Sequence, residues 1–412
     1  MIGTASDWTL KAAAWILAAV LAGGSAQAAA PAMPPADPAL SIGFVGTLTG
    51  ARAHVAQDRL DGFKLGVKHA GGRIGGQEFN LTAIDDKDNA ATALRAAKRL
   101  LDQTGVRILL WASDTPAPAA LPPLATRSGT LLLALGSPAP ALAGSGCNPL
   151  FFSLASLDET GHETTGRLLQ KQGYPSLAVA GPDSDATRQA VAALKKTYHG
   201  AVVLVTSRKG RMSFREELAR IRDIAPGAVY LLHSGGMAVN FIIQYQKAGL
   251  KERTPLFAPA DIADRTVIAA AGPAAANLFS VAPWSDDMDT PSNRRMMADF
   301  EVEYGRPASI DAAYGYDAAM MLDRAITAAG IRDREALRQA MLRADFPATR
   351  EAFRFGSNQF PVETFLLRQV VEDQSRGRLG NEQQGVVARA VGNGAANACP
   401  MRGGAPATPV KP

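Results

Sequence analysis

The chain has 412 residues and a net charge of only +5, with 47% hydrophobic and 20% charged residues. This is the composition of a globular protein, and the length predicts two domains with buried cores. Positive and negative residues are interleaved without an arginine-rich tail, which argues against nucleic acid as a partner. Two cysteines are too few for a disulfide scaffold, a cysteine-rich zinc module or a cysteine-ligated iron–sulfur cluster.

Residues 1–28 have the pattern of a secretory signal peptide. Lys11 precedes an apolar run from Ala12 to Ala22, and Ala26-Gln27-Ala28 provides small residues for cleavage. The run is shorter than the ~20 apolar residues of a membrane span; an uncleaved anchor is the alternative. We therefore expect export to the periplasm, with residues 29–40, rich in Ala and Pro, as a flexible lead-in.

Export also bears on Cys147 and Cys399. An oxidising compartment favours one disulfide between them, which would tie the C-terminal segment to the body of the protein. Two buried free thiols are the alternative. The segment 373–412 is poor in apolar residues and rich in Gly, Arg and Gln, so we expect it to be mostly irregular except near Cys399.

Short apolar runs alternate with amphipathic stretches from residue 40 onward, and the alternation restarts near residue 177. Near-continuous apolar strands separated by helices indicate parallel sheets that are covered on both faces. We therefore predict an α/β fold with two doubly wound, Rossmann-like lobes. The predicted strands lie at 42–46, 79–83, 108–111, 131–135, 177–180, 201–205, 228–232 and 278–282.

In such sheets, ligands bind at the carboxyl ends of the strands. The loops at these ends are rich in glycine and small hydroxyl residues, which bind a ligand without reacting with it. The sequence has no P-loop, no dinucleotide-binding glycine motif after a strand, no nucleophile elbow and no zinc-binding helix. We therefore expect a binding protein with no catalytic residues, cofactor or metal. The loops concerned are 47–50, 112–116, 136–140, 181–185, 233–236 and 259–264.

Several motifs follow one another in the order of a known family. They are Gly46-Thr-Leu-Thr-Gly50, Asp61-Gly-Phe-Lys-Leu-Gly-Val-Lys-His-Ala-Gly-Gly72, Pro123-Leu-Ala, Ala313-Tyr-Gly-Tyr-Asp-Ala318 and Phe353-Arg-Phe-Gly-Ser-Asn-Gln-Phe-Pro361. From residue 41 to about 372, the chain resembles the type I periplasmic solute-binding proteins of ABC importers, in the branched-chain amino acid-binding (leucine/isoleucine/valine-binding-like) group. The resemblance implies two lobes joined by a three-strand hinge. The expected lobes are 41–157 plus 284–362, and 158–283 plus 363–372.

The resemblance also implies a function. A monomeric protein of this kind closes on a small solute and delivers it to an ABC permease and ATPase in the inner membrane, without acting as an enzyme. The expected solute is a branched-chain amino acid, an aromatic or other carboxylate, or an amide. A ligand-sensing module that presents its closed form to a membrane receptor is the main alternative. A degenerate member that has lost solute binding and an enzyme on the same scaffold are the others.

The first-lobe ligand residues follow from the matched loops. Thr115 and Ser137 match hydroxyl positions, and Gly136 matches a backbone position; helix capping and simple turn geometry are the alternative roles. Trp111 stands where the family commonly has glycine, so it is either a stacking surface for the ligand or a core aromatic at a strand end. His54, in the region after the first strand, is a further candidate.

The second lobe departs from the family pattern. The expected tyrosine position falls near Ala186, and the loop at 233–236 also lacks an aromatic residue, which leaves Ser234 as its candidate. The acidic position falls on Ala260 with Asp261 adjacent. Because a desolvated ammonium group needs a charge partner, Asp261 becomes the partner only if the loop is shifted by one residue.

Overall fold

The computed structural model describes residues 40–113, 117–351, 353–373 and 377–401. The expected signal peptide and all of the lead-in except Leu40 lie outside these ranges. Each helix within them is too short or too polar to cross a bilayer. The first part of the described chain alternates strand and helix. Its elements are β1 (Leu40–Gly46), α1 (Ala53–His69), β2 (Phe79–Asp85), α2 (Ala90–Gln103), β3 (Ile108–Ala112), α3 (Leu121–Ser128), β4 (Leu131–Ala134) and β5 (Phe151–Ser153).

These five strands form one parallel sheet in the order β2-β1-β3-β4-β5. Strands β3 and β4 are buried along their whole length, because α1 covers one face of the sheet and α2 with α3 covers the other. Burial on both faces explains why these strands are continuous apolar runs in the sequence.

A second alternation builds the second sheet. Strands β6 to β10 are parallel in the order β7-β6-β8-β9-β10, and two hydrophobic clusters cover its faces. The two-lobed α/β fold is thereby confirmed. The elements are α4 (Asp158–Lys171), β6 (Ser176–Pro182), α5 (Asp185–Lys195), β7 (Ala201–Ser207), α6 (Arg215–Ile224), β8 (Ala228–Leu231), α7 (Gly235–Lys247), β9 (Leu256–Pro259), α8 (Arg265–Ala271) and β10 (Leu278–Ala282).

The last part of the described chain serves both lobes. Its first helices return to the first lobe, and its long strand β12 pairs antiparallel with β10 of the second sheet. The elements are α9 (Pro291–Tyr304), α10 (Ile310–Ala329), α11 (Arg334–Arg343), β11 (Arg354–Phe355), β12 (Pro361–Asp373) and β13 (Arg378–Val391).

Glycines bring α1 and α10 into backbone contact. A Cβ atom on Gly62 would lie 2.0 Å from the carbonyl oxygen of Ala312, and one on Gly315 would lie 1.9 Å from that of Arg59. A larger side chain at either position would therefore separate the helices. Two of the sequence motifs thus have one structural cause, the close crossing of α1 and α10 over the first sheet.

The expectation that 373–412 is mostly irregular is wrong for its first part. Strand β13 pairs antiparallel with β12, and a 3₁₀ helix follows at Gly394–Ala398. The strand escaped prediction because Asn381 is its one fully buried residue. Its stability comes from backbone pairing and from packing against α4 and α8, neither of which requires an apolar sequence. Residues 402–412 lie outside the described ranges.

The disulfide between Cys147 and Cys399 is present, with Cα atoms 5.7 Å apart. It confirms the predicted pairing and joins residues 252 positions apart in the sequence. A 3₁₀ helix at Pro140–Ala143 precedes Cys147, and it packs against the 3₁₀ helix at Gly394–Ala398 that precedes Cys399. The end of the described chain is therefore held against the first lobe.

Within the described residues, the chain passes between the lobes four times: from β5 into α4, from β10 into α9, along β12, and back along β13 to the 3₁₀ helix at Gly394–Ala398. Arg350 connects two of these crossings, because its Nη1 donates to the carbonyl oxygen of Leu154 and to the carboxylate of Glu363. Its Nε donates to Asp317 of α10, and Ser156 donates to Glu363 from the first crossing. We call Asp317, Arg350 and Glu363 the hinge triad.

Candidate functional site

The carboxyl ends of β3 and β4 lie side by side in the first sheet and form one edge of the cleft between the lobes. Gly136 and Ser137 follow β4. The hydroxyl oxygen of Ser137 accepts a hydrogen bond of 3.0 Å from the backbone N–H of Asp158, the first residue of α4. Ser137 therefore caps a helix that belongs to the second lobe. The hydroxyl also faces the carboxylate of Asp158, since a side-chain hydrogen bond from Ser137 lowers the pKa of that group.

A buried arginine lies directly beneath this edge. Arg59 of α1 donates to the carbonyl oxygen of Ala112 at 3.0 Å and to the carboxylate of Asp311 at 2.8 Å. A Cβ atom on Gly136 would lie only 2.8 Å from its guanidinium, so the glycine allows this close approach. Arg59 was not predicted from the sequence, because only the packing of α1 on the sheet brings it to the edge.

Two carboxylates lie close to this edge. Asp158 begins α4 and Asp261 follows β9, and both are exposed to solvent within the cleft. Nearby protein atoms still desolvate both carboxylates in part. This desolvation raises the pKa of Asp158, against the effects of Ser137 and Arg59. Desolvation, and then the neighbouring charge of Asp158, raises the pKa of Asp261 to about 7.

The pair of carboxylates has a direct chemical consequence. Two negative charges in a partly desolvated cleft repel each other, so near neutral pH a fraction of Asp261 carries a proton. A cationic ligand group would remove that repulsion and favour the ionised form. We name Asp158 and Asp261 the acidic pair. Asp158 was missed in the sequence because it also reads as an ordinary acidic residue in the first turn of a helix.

Tyr230 and His162 lie behind the acidic pair. Their hydroxyl and Nδ1 atoms are 2.7 Å apart. Burial lowers the pKa of His162 to about 4 and raises the pKa of Tyr230, which Asp261 and Asp158 raise further. Both side chains are therefore uncharged at neutral pH, and the charge near this part of the cleft comes from the acidic pair.

The prediction of Trp111 as a stacking surface is wrong. The side chain is 2% exposed and packs in the cluster covered by α2 and α3. Its neighbour Leu110 enters the cluster on the opposite face of the sheet. Because successive side chains of a strand alternate between faces that are both covered, Trp111 is a core residue. Thr115, the other candidate at this strand end, lies outside the described residues.

The remaining candidates separate into two groups. Ser234 is exposed at the N-terminus of α7, where its side chain is accessible from the end of β8. His54 is instead engaged with the other lobe, since its Nε2 lies 3.5 Å from the carboxylate of Asp264. This contact raises the pKa of His54, mainly through the hydrogen bond with Asp264, against the effect of burial.

A second ion pair lies beside the contact of His54. Arg265 of α8 donates to both carboxylate oxygens of Asp58 on α1, with shortest distances of 2.8 Å. A cavity of about 40 Å³ between the lobes is lined by these four side chains and by Asp261. A larger groove of about 870 Å³ lies between α8 and the β12–β13 hairpin. Neither Ser137 nor either member of the acidic pair lines that groove.

Comparisons with known proteins identify the family and the fold. Residues 39–376 match the family described as periplasmic binding protein. A solute-binding protein of an ABC transporter from R. palustris, solved in complex with benzoate, is 27% identical with a TM-score of 0.77 over 88% of this chain and 100% of that one.

Two further solved structures share the fold. An ABC transporter substrate-binding protein from Sphaerobacter thermophilus is 24% identical, with a TM-score of 0.78 over 86% of this chain and 99% of that one. A leucine-binding protein from Thermotoga maritima is 18% identical, with a TM-score of 0.71 over 84% and 98%. No curated protein matches the chain significantly. The family match confirms the resemblance drawn from the sequence motifs.

Proposed function

Because the chain belongs to the periplasmic binding protein family, we propose that its two lobes close on a zwitterionic solute, an amino acid of the branched-chain type. The protein then delivers this solute to the permease and ATPase of an ABC importer in the inner membrane. The signal-peptide pattern of residues 1–28 supports a periplasmic location. Closure follows from contacts that the ligand makes with both lobes.

The acidic pair is the observation that carries the choice of solute. An ammonium group that leaves water needs a charge partner, and Asp261 with Asp158 provides negative charge that is exposed in the cleft. The adjoining edge suits a carboxylate, because the Gly136 backbone lies against the guanidinium of Arg59. An α-amino acid carries both groups at short separation.

A second candidate is an aromatic carboxylate. It is favoured by the 27% identity to the R. palustris protein that was solved with benzoate. A benzoate has no ammonium group, so Asp261 would bind it in the protonated form as a hydrogen-bond donor. Its raised pKa, about 7, makes that form accessible near neutral pH.

Titration calorimetry at pH 6 and pH 8 tests these alternatives with leucine, isoleucine, valine, benzoate and 4-hydroxybenzoate. We expect an amino acid to bind, and to bind more tightly at pH 8, because Asp261 is then ionised. Asp261→Asn should weaken that binding by about tenfold or more, since it removes a charged hydrogen-bond partner. Asp223→Asn, on the exposed surface of α6, is the matched control and should bind as the native protein does.

The other outcomes decide against the proposal. Binding of benzoates alone, tighter at pH 6, would replace the amino acid by an aromatic carboxylate. Amino acid binding that Asp261→Asn leaves unchanged would remove the acidic pair from the site. Binding of none of the five compounds would contradict both candidates and favour a sensory or degenerate protein.

A further inference from the structure

Helices α1 and α8 belong to different lobes and meet through two ion pairs. Arg265 lies 2.8 Å from Asp58, and His54 lies 3.5 Å from Asp264. His54 and Asp58 are four residues apart on α1 and therefore share one face of the helix. Their partners are consecutive residues at the start of α8. The two pairs thus form one contact with two points, which we call the α1–α8 clasp.

Both sides of the clasp are held in place by their own lobe. The carboxylate of Asp264 accepts hydrogen bonds from the backbone N–H groups of Thr266 and Val267, so it caps α8. Asp58 also accepts bonds from Arg306 and Ser309, which lie between α9 and α10 of the first lobe. The two carboxylates of the clasp are therefore positioned by their own lobes.

The partners of Asp58 also make the clasp reversible. Asp58 is buried, and a buried carboxylate without a charge partner is strongly destabilising. Arg306 and Ser309 donate hydrogen bonds to the Asp58 carboxylate from within the first lobe, so its charge is not left isolated when Arg265 departs. Arg265 is 21% exposed and gains hydration when the lobes separate. Opening therefore breaks the two interlobe ion pairs, while the hydrogen bonds of Asp58 within the first lobe remain.

We propose that the α1–α8 clasp favours the closed arrangement of the lobes and thereby raises the affinity for the ligand. The inference rests on the proposed function in that closure must accompany binding. The clasp lines the same cavity as Asp261, so it lies beside one member of the acidic pair. A larger closed fraction before binding raises the apparent affinity in proportion.

The test measures the distance between the lobes in the ligand-free, full-length mature protein. Spin labels at Lys98→Cys on α2 and Lys195→Cys on α5 report this distance, since both positions are exposed and the described residues contain no free cysteine. We expect Arg265→Met to shift the distances toward a more open distribution at pH 7. His54→Gln should shift them in the same direction by less, and it serves as the second variant if Arg265→Met folds poorly.

Arg306→Met is the matched control. It removes a guanidinium from the same carboxylate, but that pair lies within the first lobe. It should lower the melting temperature and leave the distance distribution unchanged. Distributions that are identical in the native protein, Arg265→Met and His54→Gln would overturn the proposal, as would an equal opening in Arg306→Met.

The ligand-free measurement separates this inference from the proposed function. An opened distribution in Arg265→Met supports the clasp even if none of the five solutes binds. Where a solute does bind, Arg265→Met should weaken it by roughly fivefold, at the low end of measured coupling between sites. Unchanged affinity together with an opened distribution would refute the link from the clasp to affinity and leave the solute assignment intact.

Discussion

Arg350 and Arg265 both form ion pairs where the lobes join, but their surroundings differ. Arg350 is 1% exposed, its partners Asp317 and Glu363 are equally buried, and the rings of Tyr314 and Phe353 lie within about 5 Å of its guanidinium. Arg265 is 21% exposed, and its partner Asp58 keeps other donors. The hinge triad therefore suits a contact that persists through lobe motion, and the clasp suits one that forms and breaks.

The largest expected effect comes from the hinge triad. Arg350→Met leaves two buried carboxylates without their cation, so we expect a loss of about 3–5 kcal/mol in the free energy of unfolding. Denaturant unfolding measures it. Arg265→Met should cost about 1 kcal/mol or less by the same method, because its pair reaches solvent. Equal losses of unfolding free energy in Arg350→Met and Arg265→Met would contradict the difference drawn between the hinge triad and the clasp.

The disulfide extends the comparison to a covalent contact outside the hinge. Replacing Cys147 and Cys399 together by Ser should lower the free energy of unfolding by roughly 2–4 kcal/mol, because the link closes a long loop and restricts the unfolded chain. The interlobe distances should stay as in the native protein, since the disulfide joins two parts of the chain at the first lobe. A shift of those distances would show that it also acts on the hinge.

The difference between buried and exposed parts of the molecule also explains what could be predicted from the sequence. Strands such as β3 and β4 were predictable because burial on both faces forces a continuous apolar run. Strand β13 was not, because its side chains are mostly exposed and its pairing uses the backbone. Asp261 was predicted and lies in the cleft, whereas Arg59 and Asp158 gain their positions only through tertiary packing. The side on which Trp111 lies depends on strand alternation between two covered faces, which residue type does not reveal.

His233 and His54 differ in the same way, since His233 is enclosed by protein and His54 is accessible to solvent. His233 is fully buried against Phe214 and Phe241, and its Nδ1 has no hydrogen-bond partner among the described residues. Burial lowers its pKa to about 4. The unfolded state, with a pKa near 6.5, then binds more protons below pH 6.5, so stability falls as the pH is lowered from 6.5 toward 4.

This effect should reach about 2 kcal/mol at pH 5 relative to pH 8. Thermal or denaturant unfolding of the native protein and of His233→Gln measures it as a difference between their pH dependences. His162 contributes equally to both proteins and cancels. Parallel pH dependences in the two proteins would show that His233 is not the buried neutral group described here.

The smallest expected effect concerns His54. Asp264 is the main cause of its raised pKa, and the other charges that face it are Arg265, which lowers the pKa, and Asp58, which raises it. Because the pKa of His54 is raised in the clasped state, the stabilisation of the closed lobes by His54 is fully present below pH 6.5. It is lost as the pH rises through the raised pKa. We expect the ratio of closed to open lobes in the ligand-free protein to fall about twofold, or about 0.5 kcal/mol, between pH 6 and pH 8.5.

Interlobe distances across this pH range measure the change, and the His54→Gln variant identifies its source. Asp261 also titrates near pH 7, so a pH response of the native protein alone does not assign the effect to the clasp. A flat profile in His54→Gln assigns it to His54, whereas a retained response assigns it to the acidic pair. The hinge triad has no group of this kind in contact with solvent. A pH-dependent opening that His54→Gln abolishes would therefore show that the clasp changes with lobe motion, whereas the hinge triad persists through it.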